Sequence, residues 1–230
     1  MSTLFYQLFE HESSTYTYVI GDASTKEVAV IDPVKETLER DLQFLKEMNF
    51  KVKYVLETHV HADHITSASS LRSELGAKVG LSEGSKVDCA DMLLKDGQEL
   101  ELGAYKVKAL TTPGHTDSCM SYVFEGNVFT GDALLIRGCG RTDFQQGSPE
   151  KLFESVRTKL FALPDETRVY PAHDYKGKTS SSIGEEKNLN PRLKLSNSFE
   201  DFKAIMDNLN LAHPKKIKES LPANMKCGSL

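Results

Sequence analysis

Segments with strand character alternate with amphipathic helices along the chain, and this alternation restricts the fold more than any other feature of the sequence. Three early segments are rich in β-branched and aromatic residues, as strands are: 15–22, 27–33 and 51–58. Between the second and third, residues 35–50 place Leu38, Leu42, Leu45 and Met48 at helical spacing. This spacing predicts an amphipathic helix.

The alternation continues through the rest of the chain. A helix that stops at Gly76 is predicted over 65–76, and another over 148–163, with Ser148 as N-cap and Pro149 at the first helical position. Further strands are predicted at 104–112, at 119–132 with a turn at the sequence EGN, and at 167–172. Strands and helices that alternate in two successive halves predict an α/β sandwich.

One domain is expected for residues 1–230, because neither a linker nor an internal repeat divides the sequence. A chain of 230 residues is long enough to bury one substantial core. From about residue 177 onward the sequence is more polar and irregular, with one helix expected near 198–208. This last part is interpreted as a C-terminal extension of the same domain.

Composition and charge exclude several classes of protein. Hydrophobic residues make up 39% of the chain, charged residues 27%, and the formal net charge is −5, so no nucleic-acid surface is expected. The densest basic run, at 213–220, contains its own glutamate and is interpreted as a solvated face. No apolar run approaches the ~18 residues of a membrane span, so no membrane partner is expected.

The N-terminal residues lack the regions of a signal peptide and the arginines of a transit peptide. We therefore expect a cytoplasmic protein, or a mitochondrial one from which a transit peptide has been removed. The four cysteines, Cys89, Cys119, Cys139 and Cys227, are widely spaced and include no CxxC pair. They are expected to be free thiols in a reducing compartment rather than a disulfide framework.

Residues of metal-ligand type recur where predicted strands end. The strand at 51–58 is followed by His59, His61, Asp63 and His64, and three later strands are followed by His115, Asp132 and His173. Loops at one edge of a sheet converge, so these side chains are expected to meet in one pocket. A buried cluster of this kind would be poorly satisfied without a metal, and the sequence therefore predicts a metal site. His11 and His213 are interpreted as ordinary loop or core residues.

The residue types leave the metal and the number of ions open. Imidazoles and carboxylates without a thiolate suit zinc or iron. Two metals could be bound, with Asp132 as a bridge, by His59, His61 and His115 on one side and by Asp63, His64 and His173 on the other. A single metal on His59, His115 and Asp132 is the alternative, because two histidines and one carboxylate with open positions are the pattern of non-haem iron oxygenases.

Several stretches resemble a known family. The sequences HVHADH, PGHT, TGDAL and PAHD resemble the metallo-β-lactamase superfamily, which implies an αββα sandwich with the metal site at one edge. Four longer stretches resemble the persulfide dioxygenases: LLIRGCGRTDFQQGS at 134–148, PAHDYKG at 171–177, NPRL at 190–193 and LPANMKCG at 221–228. The resemblance covers essentially the whole chain.

This resemblance implies one ferrous ion per chain, on His59, His115 and Asp132. It also implies that four residues support catalysis around the metal through hydrogen bonds and proton transfer: His61, Asp63, His64 and His173. The implied reaction is the oxidation of glutathione persulfide by O₂ and water to sulfite and glutathione, which detoxifies sulfide. A homodimer is expected by analogy.

Glutathione carries two carboxylates, so a pocket for it needs cations. Arg141 and Arg192 are the candidates to bind these carboxylates through the guanidinium fork. Tyr175 is a candidate to contact the substrate near its sulfur, and Asp143 to orient Arg141 or to bind the substrate's amine. In the alternative interpretation, Arg141 and Asp143 form only a structural ion pair.

Two other functions stay open at this stage. A glyoxalase II-type hydrolase of glutathione thioesters shares the fold and the seven ligand-type residues, and uses two metals with a metal-bound hydroxide. The C-terminal part of this chain is short for the separate substrate-binding domain of such a hydrolase. A non-catalytic metal-binding module is the other alternative, although structural zinc sites are usually closed.

Overall fold

The first half of the chain forms a six-stranded mixed sheet. The computed structural model describes residues 2–211 and 216–229. The strands of this sheet, in spatial as well as chain order, are β1 (Thr3–Glu10), β2 (Thr15–Asp22), β3 (Glu27–Ile31), β4 (Lys51–Leu56), β5 (Lys78–Ser82) and β6 (Met92–Leu94). β1, β2 and β3 pair antiparallel, and β3 to β6 pair parallel.

The second half forms another six-stranded sheet. Its strands are β7 (Glu99–Leu102), β8 (Tyr105–Thr111), β9 (Met120–Phe124), β10 (Asn127–Gly131), β11 (Arg168–Pro171) and β12 (Ser181–Ser182), again in spatial order. β7 to β10 pair antiparallel, β10 pairs parallel with β11, and β12 returns antiparallel.

Within the described residues, α-helices accompany the sheets as α1 (Leu38–Glu47), α2 (Ala68–Leu75), α3 (Pro149–Ser155), α4 (Ile183–Leu189), α5 (Phe199–Asp207) and α6 (Ile217–Asn224). α3 continues into a π-helical turn, Val156–Leu160. The predicted caps are confirmed: the Ser148 hydroxyl accepts from the backbone N–H of Lys151, Pro149 begins α3, and Gly76 is left-handed with φ of 70° after α2.

Three apolar clusters define the layers. Between the sheets, Tyr18 and Ile20 of the first sheet pack with Tyr122 and Phe129 of the second. The alternate residues of the first sheet pack against α1 and α2, and those of the second against α3 and α5. Each large apolar side chain buried in this way contributes roughly 1.5–3 kcal/mol. The predicted αββα sandwich is confirmed.

Elements without a strong periodic signal were not predicted: β1, β5, β6, β7, β12, α4 and α6. β6 and β12 are three and two residues long, too short for any periodicity to appear. α6 contains Pro222, which argues against a helix interior. His11 is an exposed residue whose ring packs edge-on against Phe9, as an ordinary loop residue would.

The interpretation of His213 lies outside the described residues, as does that of 213–215 in the basic run. The next residue of that run, Lys216, contacts the carboxylates of Glu36 and Glu12 at 2.9 and 3.2 Å. Among the described residues, none belongs to a helix long and apolar enough to cross a membrane.

The expectation of four free thiols is wrong for two of the cysteines. Cys89 and Cys227 form a disulfide, whereas Cys119 and Cys139 are free and buried. The two bonded cysteines are 138 residues apart, so no short spacing could reveal the pair. They meet because α6 returns the end of the chain to the loop between β5 and β6.

Candidate metal centre

All seven predicted ligand-type residues lie at one edge of the sandwich, where β4, β8, β10 and β11 end. Three of them form what we call the outer triad: His59, His115 and Asp132. One candidate ligand atom from each lies within 4.8 Å of the others. The His115 and Asp132 side chains are 12% and 13% exposed, so the triad opens to solvent on one side.

Hydrogen bonds fix which nitrogen each histidine of the outer triad presents. Thr58 donates its hydroxyl proton to Asp32 Oδ2 at 2.8 Å, so its Oγ1 can accept from Nδ1 of His59 at 3.0 Å. Nδ1 of His115 lies 2.7 Å from the backbone carbonyl oxygen of Arg141, to which it must donate. Both rings therefore carry their proton on Nδ1 and present the Nε2 lone pair.

Two glycines let the backbone reach this geometry, as the sequences PGH and TGD predict. Gly131 has φ of +53°, and a Cβ there would come within 2.6 Å of Thr58 Oγ1, the atom that orients His59. Gly114 has φ of +141°, and a Cβ there would collide with the backbone of Leu152 at the start of α3. Any side chain at either position would displace a ligand loop.

The other four residues form a second group, which we call the inner cluster: His61, Asp63, His64 and His173. His64 Nδ1 lies 3.0 Å from Asp63 Oδ2, and His173 Nε2 lies 3.6 Å from the same oxygen. His61 Nε2 lies 3.1 Å from Asp32. Each imidazole of the inner cluster thus has a carboxylate close to one of its nitrogens.

The two groups differ in protonation. Burial, together with the neighbouring His61 and His115, holds the pKa of His59 well below its ordinary value, so His59 is neutral, as a metal ligand must be. Burial opposes protonation of His61, but the charges of Asp32 and Glu57 outweigh it and raise the pKa of His61 well above its ordinary value.

Burial and neighbouring charges also act in opposite directions on the pKa values of Asp63 and His173. Burial would raise the pKa of Asp63, yet the charges of His173 and His64 hold it well below its ordinary value. Burial would lower the pKa of His173, but Asp132 and Asp63 raise it. The inner cluster is therefore an alternation of acids and imidazoles that compensate one another's charge.

The donors present fit a metal ion. Asp132 Oδ1 is buried without a hydrogen-bond partner among the described residues, an unfavourable state that a bound cation would relieve. Two imidazole nitrogens and a carboxylate oxygen form a ligand set for a divalent transition metal. Two further groups also bring candidate ligand atoms within 4.8 Å of one another: His61, Asp63 and His173, and Asp32, Glu57 and His61.

A cleft of about 470 Å³ leads to the outer triad. Its walls include the predicted substrate residues Arg141, Arg192 and Tyr175, but Asp143 is not among its lining residues. The guanidinium of Arg141 forms a fork on Asp143, with distances of 2.6 and 2.7 Å, and lies over the ring of Phe144. Arg192 donates to the Cys139 carbonyl at 2.8 Å.

Comparison with known proteins identifies the family. The metallo-beta-lactamase superfamily pattern matches residues 12–173. The protein named persulfide dioxygenase ETHE1, mitochondrial, of Bos taurus is 48% identical over 225 residues, which cover 96% of this chain and 87% of the bovine protein. The chain belongs to the persulfide dioxygenase family.

A solved structure supports membership of the persulfide dioxygenase family, whereas a more distant relative bears the name of the alternative function. The crystal structure of ETHE1 from Myxococcus xanthus superposes with a TM-score of 0.95 at 51% identity, covering 98% of this chain and 99% of that one. The protein named Glyoxylase B2 of Dictyostelium discoideum is 30% identical in an alignment that covers 96% of this chain and 89% of its own length. The higher identity favours the persulfide dioxygenases over the glyoxalase alternative.

Sequence reasoning missed several residues that complete this persulfide dioxygenase site. Asp32 follows β3 in the sequence VIDP, and the strand-end criterion that found the histidines would have found it as well. Thr58 and Glu57 offer no such signal, because a threonine and a glutamate at a strand end are common. Glu57 is only 3% exposed and its carboxylate accepts from the Thr66 hydroxyl.

The free cysteines do not provide a reactive thiol. Burial raises the pKa of Cys119 to about 12 and that of Cys139 to about 11, so both stay protonated at neutral pH. Cys139 lines the cleft, but only 3% of its surface is exposed.

Proposed function

We propose that this chain oxidises glutathione persulfide with O₂ and water to glutathione and sulfite, with one ferrous ion per chain held by His59, His115 and Asp132. The observation that carries the proposal is the outer triad: two imidazoles and a carboxylate at the end of an open cleft, in a chain 48% identical to a persulfide dioxygenase. Two histidines and one carboxylate with open positions are the ligand set of non-haem iron oxygenases.

Iron, when bound, supplies the electron transfer that O₂ needs, which zinc does not. The chain's own residues hold the ligands in place. Thr58 and the Arg141 carbonyl orient the two histidines, so that both Nε2 atoms point to the same space. The cleft leaves the remaining side of the triad open to the persulfide and O₂.

The reaction releases two protons, since glutathione persulfide, O₂ and water give glutathione, sulfite and 2 H⁺. The inner cluster provides a route for them. His173 Nε2 lies 3.7 Å from Asp132 Oδ1 and 3.6 Å from Asp63 Oδ2, and the Asp63 side chain is 29% exposed. We propose that His173, which lies beside both carboxylates, exchanges protons with the reacting groups, and that His61 and His64 fix its surroundings.

The cleft walls bind the tripeptide. Arg141 and Arg192 line the cleft and are each held by an internal partner, so both guanidinium groups are oriented before substrate arrives. Tyr175 is 72% exposed and its ring is parallel to that of His173 at 6.0 Å, and we propose that it contacts the substrate near its sulfur. Asp143, which does not line the cleft, orients Arg141.

Location and assembly are proposed by analogy with the family. The bovine relative is named mitochondrial, and we propose that this chain is mitochondrial or cytoplasmic. We propose a homodimer as well, which light scattering on the purified protein would check.

The test is to load the protein anaerobically with ferrous iron, add glutathione persulfide, and measure O₂ uptake and sulfite in the same cell. Equal amounts of O₂ consumed and sulfite formed are expected, with no turnover by the zinc-loaded control. The absence of uptake from protein with verified iron would overturn the proposal. Hydrolysis of lactoylglutathione by protein with two metals per chain would establish the glyoxalase II-type alternative instead.

A further inference from the structure

The end of the chain is tied to the loop that carries the metal-site histidines. The side chain of Asn224, the last residue of α6, is 4% exposed. Its Nδ2 donates to the backbone carbonyls of His61 and His64, both at 2.8 Å, and its Oδ1 accepts from the backbone N–H of Thr66 at 2.9 Å. One amide thus satisfies three backbone groups of residues 59–66, which we call the histidine loop.

The residues after Asn224 fit closely against the same part of the molecule. The Cys227 carbonyl accepts from the N–H of Ser69 at 3.0 Å. Gly228 has φ of +82°, and a Cβ there would lie 2.0 Å from the carbonyl oxygen of Thr66. Only a glycine permits this approach. The cavity left between this segment and the metal site measures about 10 Å³, and His59, His61, Asn224 and Cys227 are among its lining residues.

A covalent bond holds this segment in place. Cys227, three residues after Asn224, is bonded to Cys89 in the loop between β5 and β6. The loop belongs to the first sheet, whose strand β4 leads into the histidine loop. Cys227 is 1% exposed, whereas Cys89 is half-buried.

We propose that residues 223–228 form a C-terminal clamp, in which Asn224 is a positioning residue for the histidine loop and the Cys89–Cys227 disulfide fastens the clamp to the first sheet. Without the amide, two buried carbonyls and one buried N–H of the loop lose their partners and must shift to find others. His59 lies on this loop, so its Nε2 shifts as well. A shifted Nε2 weakens metal binding, because the ligands must converge on one ion.

The bond makes the clamp sensitive to thiols. A dithiol reduces the disulfide in two steps. In the first, its thiolate attacks Sγ of half-buried Cys89 and the Cys89–Cys227 bond breaks. Cys227 leaves as a thiolate, which takes up a proton. The second thiol of the reagent then attacks the mixed disulfide. Cys89 is released as a thiol and the reagent leaves as a cyclic disulfide.

The role of Asn224 rests on the proposed ligand His59 but not on the substrate, so its test uses metal affinity rather than turnover. The variant Asn224→Ala is compared with Asn190→Ala, which also removes a buried side-chain amide. The Asn190 amide forms its hydrogen bonds elsewhere, with Gly138, Glu186 and the backbone of residues 192–193. Cobalt(II) titration, followed by its visible absorption, is expected to show affinity about 10-fold or more lower for Asn224→Ala and unchanged for Asn190→Ala.

The disulfide is tested on metal-free protein by hydrogen exchange, so that a failure of the proposed function does not affect the result. Wild type and Cys89→Ser are each measured with and without dithiothreitol. Reduction of the wild-type disulfide is expected to accelerate hydrogen exchange of the Thr66 amide by about 10-fold. The Cys89→Ser variant is expected to exchange at this faster rate both with and without dithiothreitol.

Equal exchange at Thr66 in all four samples would overturn the fastening role. Equal cobalt affinity for wild type and Asn224→Ala, or an equal loss in both asparagine variants, would overturn the positioning role of Asn224.

Discussion

The outer triad and the inner cluster contain the same residue types within a few ångströms, yet they differ in what already satisfies them. The histidines of the outer triad, His59 and His115, donate from Nδ1 to neutral oxygens and keep Nε2 free. The imidazoles of the inner cluster lie instead against carboxylates, as His64 does at 3.0 Å from Asp63. In the outer triad, Asp132 Oδ1 has no hydrogen-bond partner among the described residues, and in the inner cluster the same holds for His61 Nδ1, His61 Nε2 and His64 Nε2. The groups therefore differ in the carboxylates beside the imidazoles of the inner cluster rather than in complete hydrogen bonding.

Exposure separates the imidazoles of the inner cluster from its carboxylate, since Asp63 is 29% exposed, more than any residue of the outer triad. Three side chains of the inner cluster, those of His61, His64 and His173, are at most 2% exposed. All three residues of the outer triad line the cleft, as do Asp63 and His173 of the inner cluster. We infer that the outer triad meets the substrate and that the inner cluster supports it. The same types of residue can therefore have different roles at one site when their hydrogen-bond partners differ.

The largest effect is expected from Asp132→Ala. It removes the only carboxylate of the outer triad, so iron binding and turnover should both be lost. Iron per chain after anaerobic reconstitution and desalting is the measurement. His64→Ala is the matched control, since it removes a residue of the inner cluster and should leave much of the iron in place. Equal loss of metal in both variants would erase the distinction between the two groups.

His61→Leu should affect stability most. His61 Nε2 lies 3.1 Å from Asp32 and 3.5 Å from Glu57, both buried, and without the imidazole these carboxylates lose their counter-charge. The free energy of unfolding of the metal-free protein should fall by about 3–5 kcal/mol in urea titrations. The double variant His61→Leu/Glu57→Gln should recover part of the loss. A loss under about 1 kcal/mol would show that His61 does not compensate this charge.

A smaller effect is expected when His64 is changed to Gln. Its Nδ1 contacts Asp63 and Thr15 rather than the outer triad. Removing such a supporting group should weaken iron affinity by about 10-fold, without changing the number of ions bound. Competition with a chelator measures the affinity. Complete loss of iron would make His64 a ligand and favour the two-metal arrangement.

The smallest effect is expected from Arg192→Lys, which keeps the charge in the cleft but loses the guanidinium fork. KM for glutathione persulfide should rise about 5-fold with little change in kcat, the result of losing roughly one hydrogen bond. Arg168→Lys is the control, because Arg168 donates to Ser180 away from the cleft and should leave KM unchanged. A fall in kcat with unchanged KM would show instead that Arg192 acts in the chemical step rather than in substrate binding.

Much of this site is predictable because its ligands follow strands. Strand periodicity locates the ends of β4, β8, β10 and β11, and the convergence of strand ends at one edge brings their residues together. The helix that begins at Pro149 was equally visible, because its N-cap and first-turn residues are local signals. Elements that depend on local sequence signals can therefore be predicted from the sequence alone.

The parts that were missed depend on distant contacts. Asn224 bonds to His61 and His64 across about 160 residues, and neither α6 nor an asparagine at its end predicts this. The Cys89–Cys227 bond has the same origin. The number of metals could not be chosen from the sequence either, because the same imidazoles and carboxylates can bind one ion or two.

Anomalous diffraction at the iron edge, from crystals of anaerobically reconstituted protein, tests the central claim most directly. We predict one anomalous peak per chain, bounded by Nε2 of His59, Nε2 of His115 and the Asp132 carboxylate. A second peak of comparable height beside Asp63 and His173 would contradict the account and show that the inner cluster binds a metal of its own.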